Sequence, residues 1–163
     1  MEVRTAVLLF AVVTLGLMAG LFYAFSGSVM PGLRRAGDRA AVDVMQRINI
    51  AIQNPVFGLI FLGALVSTAA ATYQNTDRPA VSGPLMIALF LYVVTLIVTF
   101  AVNIPLNTRL NDLGDPADLA DPGAQRAAFF TPWTGWNIVR TVTSTGAFVA
   151  AAWALTEHGA HIG

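Results

Sequence analysis

The chain has 163 residues, 56% of them hydrophobic and 11% charged, and nine arginines balance nine acidic residues. Soluble domains carry about 25% charged residues, so this composition excludes an ordinary water-facing surface, and zero net charge leaves no basic field to attract nucleic acid. Lysine and cysteine are both absent, which removes disulfides, thiolate metal sites and cysteine nucleophiles. What remains is an integral membrane protein of one domain.

The first charge-free stretch, Thr5–Phe25, has the length of about 20 apolar residues that a membrane helix needs. It is too long for the apolar region of a signal peptide, about 7–15 residues. The next two stretches, Ile48–Thr76 and Ala80–Thr108, are each 29 residues, longer than one crossing needs. The fourth, Thr141–Thr156, is short and reaches spanning length only if Trp133–Val139 join it, which places Arg140 at one end or in a polar interior. A short turn at Asn75–Gly83 makes helices 2 and 3 antiparallel neighbours. The loop around Pro31–Asp38 is marked by glycine and proline, and the longest connection, Asn111–Gln125, carries Asp112, Asp115, Asp118 and Asp121.

The predicted fold is therefore all-α: one integral membrane domain, 1–163, forming a four-transmembrane-helix antiparallel bundle. The spans fall at approximately 5–28, 44–74, 83–108 and 133–156, with helices 2 and 3 kinked at Pro55 and Pro105. Both termini share a side with the 75–83 turn. Two arginines lie there (Arg4, Arg78) and seven on the side of loops 1 and 3, which puts those loops in the cytoplasm of a cell-membrane protein. Arg47, Arg109 and Arg140 weaken that count if they are buried functional groups.

Polar residues inside spans need protein partners, so their placement is informative. Toward the loop-1/loop-3 side, helix 2 carries Gln46, Arg47, Asn49, Gln53 and Asn54, with Arg47 and Asn54 on one face. Helix 3 ends there with Asn103 and Asn107 four residues apart, around Pro105. Helix 4 begins there with Trp133, Trp136, Asn137 and Arg140, the last two on one face. Helix 1 adds Tyr23, Ser26 and Ser28. Three helices thus bring amides and an arginine to one end of the bundle, while the other end reads as bland. The competing interpretation is interfacial: amides in the headgroup region, tryptophans in the aromatic belt, arginines snorkelling to phosphate. The depth of Asn54 and Asn103 favours a pocket.

Other signals are weaker. Gly16 and Gly20 form a small-residue pair, extended by Ala24 and Ser28, that suits close helix packing within the chain or a homodimer through the Gly16/Gly20 face. His158 and His161 are three apart on the far side and do not build a metal site. The four loop aspartates lack calcium-loop ligand order. No metal ligand set and no nucleotide loop is legible, and no acid or histidine lies within the expected spans.

The ordered set Gly16, Gly20, Phe25 and Pro31, then Gln46, Arg47, Asn49, Asn54 and Pro55, then Asn103, Pro105 and Asn107, then Trp133, Trp136, Asn137 and Arg140 resembles the anthrone oxygenase family of small four-helix membrane proteins. The resemblance implies an oxygenase without cofactor that acts on a lipophilic polycyclic phenol or hydroquinone-like molecule with O2 in the bilayer. Its catalytic residues would be Arg47, Asn54, Asn103, Asn107, Asn137 and Arg140, donors to an enolate and to reduced oxygen. Asn49, Gln53, Trp133, Trp136 and Tyr23 would bind substrate. Asp112 and Asp43 are the nearest candidates for a base. The alternative is a non-catalytic membrane module that holds a lipid, quinone or partner subunit in the same pocket. A transporter fits poorly without an intramembrane acid or an inverted repeat.

Overall fold

The computed structural model describes residues 3–160. Among the described residues the chain is helical, with five helices and a single 3₁₀ turn. Helix α1 (Val3–Arg34) is the first span, and α2 (Asp38–Ala51) follows after a short bend. Helices α3 (Pro55–Gln74), α4 (Pro79–Asn111) and α5 (Pro122–Ala160) are the other spans. All four spans are long and apolar enough to cross a bilayer, and the protein is a multi-pass membrane protein built as an antiparallel bundle. At about 1.5 Å per residue, the 39-residue α5 outreaches a hydrocarbon core of about 30 Å.

Packing follows small residues. Ala147, Ala151 and Ala154 make one buried stripe on α5, and Ala64 and Ala71 another on α3, letting backbones approach where lipid offers no hydrophobic drive. Helix α5 packs against both α1 and α4, and α3 lies against α1. Two apolar cores result. One joins Leu8, Leu15, Met18, Phe61, Leu85 and Tyr92 toward the termini; the other joins Phe25, Met30, Met45, Leu110, Phe129 and Trp133 toward the loops. The Tyr92 hydroxyl, fully buried, donates to the Phe61 carbonyl at 2.8 Å and pins α4 to α3.

The prolines act differently from simple kinks. The second span is interrupted, not bent: α2 stops at Ala51, Asn54 is extended (φ −125°, ψ 158°), and Pro55 opens α3. A proline at the first helical position loses no intrahelical bond and already has the required φ. Asn54 serves as the cap, accepting from Phe57 N at 3.0 Å and donating to the Ala51 carbonyl at 2.9 Å. In α4 the backbone widens into a π turn, Thr99–Asn103, ahead of Pro105, and α1 does the same at Phe25–Val29 ahead of Pro31. In each case the proline is the second residue after the π turn. A proline ring collides with the carbonyl four residues back; the wider turn moves that carbonyl aside and keeps the helix continuous.

The loop side is closed by side-chain caps. Gln46 donates to the Leu110 and Gly114 carbonyls at 2.8 and 3.0 Å, satisfying the end of α4. Arg126 donates to the Arg34, Leu33 and Ala36 carbonyls at the end of α1 and pairs with Asp38. Asp115 caps the 3₁₀ turn and Asp121 caps α5. The opposite end is more polar than its sequence suggests. His158 is buried and shares a 2.9 Å hydrogen bond with Thr5, and Asn75 is fully buried in the α3–α4 turn. His161 lies outside the described residues.

Gly16 meets the Phe148 ring: a Cβ there would sit 3.1 Å from Cε2, whereas one on Gly20 would meet nothing within 4 Å. Gly16→Leu should therefore lower the melting temperature in detergent, with overpacking costing about 1–3 kcal/mol. Gly20→Leu should not, because it also removes a glycine helix penalty of about 1 kcal/mol. Equal effects would contradict this packing, and a changed oligomeric state in Gly20→Leu would place that face between copies. A second prediction concerns Asp77, bonded by Arg4 at 3.0 and 3.1 Å. Arg4 hydrogen bonding is the main cause that holds the Asp77 carboxyl below its ordinary 3.8. The contact therefore stabilises the fold above that pH and is lost as the pH falls through the lower folded value. The stability advantage of wild type over Asp77→Asn should vanish in that acid window and persist at neutral pH.

Candidate functional site

Between the two cores lies a cavity of about 290 Å³, at the small end of ligand pockets. All five helices line it. Phe22, Phe25, Phe57, Phe61 and Trp133 give it aromatic walls; Arg140, Asn107, Asn49, Gln53, Asn111 and Thr99 give it polar points. Both π turns contribute a wall residue, Phe25 and Thr99. Gln53, Ile104 and Thr108 are exposed as well as lining, so the mouth lies between the α2–α3 break and the loop end of α4.

Arg140 is the centre of the site. It sits in α5, and its long side chain runs back toward Trp133, the direction helical side chains take. The residue is only 6% exposed. Its guanidinium lies over the Phe22 ring at 4.5 Å and the Trp133 ring at 5.2 Å. Its one hydrogen bond runs from Nη2 to Asn137 Oδ1 at 2.8 Å, Nε has no partner, and no ion pair among the described residues involves it. A buried charge without a counter-ion is costly by several kcal/mol. Two ring faces return about 0.5–2 kcal/mol each. The rings and the single amide thus leave the guanidinium without a counter-ion among the described residues.

Asn137 is fully buried behind Arg140, and its direction is fixed. Its Nδ2 donates to the Phe22 carbonyl at 3.0 Å and to Ser26 Oγ at 2.7 Å, so Oδ1 faces the guanidinium. Ser26 in turn shares a 2.9 Å hydrogen bond with Thr141. This α1–α5 network holds Arg140 at the π turn of α1. On the other wall, Trp133 Nε1 donates to Asn107 Oδ1 at 2.7 Å. Asn49 Nδ2 reaches Asn111 Oδ1 at 3.3 Å, and Gln53 donates to the Asn49 carbonyl at 2.9 Å.

Of the residues expected at a site, Arg140, Asn107, Asn49, Gln53 and Trp133 line the cavity. Asn137 supports it from behind. Asn103 is fully buried beside it, donating to the Trp133 carbonyl at 3.4 Å with Oδ1 unpartnered. Four others lie elsewhere. The Arg47 side chain is 76% exposed and paired with Asp43 at 2.9 Å, because α2 is a separate amphipathic helix that turns this face outward. Asn54 is the exposed α3 cap, and the chain between Ala51 and Pro55 is not helical, so it shares no face with Arg47. Trp136 and Tyr23 are 42% and 66% exposed and point outward. Neither Asp43 nor Asp112 lines the cavity. Phe22, Thr99 and Asn111 were not anticipated as site residues, and Ser26, expected in the polar cluster, supports Asn137 from α1. A signal for Asn111 existed: the four-residue step from Asn103 to Asn107 continues to it.

No curated protein and no solved structure matches the chain. A family model does, over residues 47–150, which take in every lining residue of α3, α4 and α5 and most of those of α2. That family is described as anthrone oxygenase, and the match covers more than half of the sequence, so the chain belongs to the anthrone oxygenase family of membrane proteins.

Proposed function

We propose that the chain oxidises the activated carbon of a planar, lipophilic phenol or hydroquinone-like substrate with O2, without a cofactor. The observation that supports this most is Arg140: a buried cation without a carboxylate, set among aromatic rings in a cavity of ligand size. A cyclic ketone whose acidic CH2 is conjugated to the carbonyl through fused aromatic rings forms an enolate, and a guanidinium at the enolate oxygen favours that form. The enolate gives one electron to O2. The carbon radical and superoxide then join through a new C–O bond, and uptake of a proton gives a hydroperoxide. Loss of water breaks the O–O bond, removes the second C–H proton and leaves a carbonyl. Overall, CH2 and O2 become C=O and H2O; a hydroquinone would instead pass two electrons and two protons to O2, giving quinone and H2O2.

In this reading Arg140 is the oxyanion donor and Asn137 positions it. Phe22, Phe57, Phe61 and Trp133 stack on the substrate. Neither carboxylate nor histidine is among the lining residues, so the substrate proton leaves through the amide-lined mouth to water. Arg47 and Arg109 are exposed and count as topology signals. Withdrawing Arg140 alone leaves six arginines on the loop-1/loop-3 side against two, which supports a cytoplasmic mouth in a cell-membrane protein.

The test is oxygen uptake by purified protein given an anthrone or hydroquinone, corrected for autoxidation. Arg140→Gln should lower kcat by about 10²–10³, the effect of removing one oxyanion donor, and Arg140→Lys should restore part of it. Arg47→Ala should stay close to wild type. Full activity in Arg140→Gln would remove the oxyanion role. No uptake above a lipid-only background across a substrate panel would favour a module that holds a lipid, quinone or partner subunit in the same cavity.

A further inference from the structure

We propose that Asn107 reads a second oxygen on the substrate, so that the site selects planar molecules bearing two acceptor oxygens. This rests on the oxygenase reading for its reaction, but not for its binding. An amide side chain has one accepting end and one donating end, and it can turn over unless a neighbour fixes it. Here Trp133 is that neighbour. Its Nε1 can only donate, and it donates to Asn107 Oδ1 at 2.7 Å. The accepting end of Asn107 is therefore held on the indole. Nδ2 is left without a partner among the described residues, on a side chain that lines the cavity.

The same indole carries Arg140 over its face at 5.2 Å. Trp133 is itself immobile: it is 3% exposed and wedged between Phe25 at 5.4 Å and Phe129 at 6.0 Å. One rigid ring thus sets the spacing of two groups that can only donate, a guanidinium over its face and an amide at its N–H edge. A complementary ligand carries two accepting oxygens on one flat framework. The first is a ketone or enolate oxygen at Arg140. The second is a ring hydroxyl or second carbonyl at Asn107. A ligand with one oxygen leaves the Asn107 donor without a partner on the ligand, and sites built to bond an oxygen discriminate against analogues that lack it.

The experiment compares an unsubstituted tricyclic anthrone with ring-hydroxylated analogues, using autoxidation-corrected kcat/KM. In parallel, tryptophan quenching measures binding of the matching ketones that cannot turn over. Wild type should prefer the best two-oxygen compound in both readouts by about tenfold, the scale of one hydrogen bond lost in a partly buried site. Asn107→Leu should collapse that ratio to near unity. Asn107→Asp, which keeps an acceptor for Trp133 but removes the Nδ2 donor, should collapse it as well and serves if the leucine variant does not fold. A ratio unchanged in the folded variants overturns the inference while the oxygenase reading stands. A ratio that collapses in binding, with no oxygen uptake by wild type, supports Asn107 as the reader and removes the oxygenase reading.

Discussion

The buried charge of Arg140 is the constraint around which the loop-side half of the bundle is organised. A guanidinium 6% exposed inside a membrane protein needs compensation, and here none comes from an acid. It comes from two ring faces and one amide oxygen. Each compensating group is fixed in turn: Asn137 by Phe22 and Ser26, and Trp133 by Asn107, Phe25 and Phe129. A carboxylate partner would have satisfied the charge internally. Amides and rings satisfy it only in part, and an incompletely satisfied cation beside a cavity favours an anionic oxygen arriving there.

The space beside Arg140 depends on three prolines. Straight helices of small residues pack closely, as α5 does through Ala147, Ala151 and Ala154. Below that level Pro31 and Pro105 each force a π turn, and Pro55 restarts a helix after a break. All three distortions fall on the loop side of the close-packed core. They bring Phe25, Thr99, Ile52 and Gln53 to a common cavity. The link between proline and cavity is mechanical: a widened or broken helix cannot keep the close packing that unbroken neighbours achieve.

Much of this was legible in the sequence, and the misses have identifiable causes. Scarce charge and four apolar stretches give the membrane bundle. The i, i+3 spacing of Asn137 and Arg140 gives their contact, because helical geometry alone determines it. The clustering of Asn49, Gln53 and Asn107 at one end anticipates that they line one cavity. Arg47, Asn54, Trp136 and Tyr23 were misplaced for different reasons. The first two were assigned one face of a continuous helix, and the break at Ile52–Asn54 removes that continuity. Proline position is readable, but the choice among kink, π turn and break depends on how the freed carbonyls find partners, which is a tertiary matter. Trp136 is three residues from Trp133, close enough to share a broad face but far enough round for one ring to enter the core and the other to face out. Phe22 and Phe61 were hidden among many apolar residues, since nothing local separates a wall aromatic from a core aromatic.

The polarity of the far end sharpens the contrast between structural and functional polar groups. Arg4 and Asp77 pair there, Thr5 and His158 share a hydrogen bond, and Asn75 donates to the Ala71 carbonyl at 2.8 Å. The first two contacts join α1 to the α3–α4 turn and to α5 where the helices end, and the third satisfies a terminal carbonyl of α3. Gln46 and Arg126 do similar work at the loop end by satisfying terminal carbonyls. Arg140 differs from all of them. It caps no helix and meets no carboxylate, and its partners are aromatic faces and an amide that line or support a cavity. The functional reading therefore rests less on the presence of polar residues in the membrane than on a buried cation that meets no carboxylate among the described residues and lines a cavity.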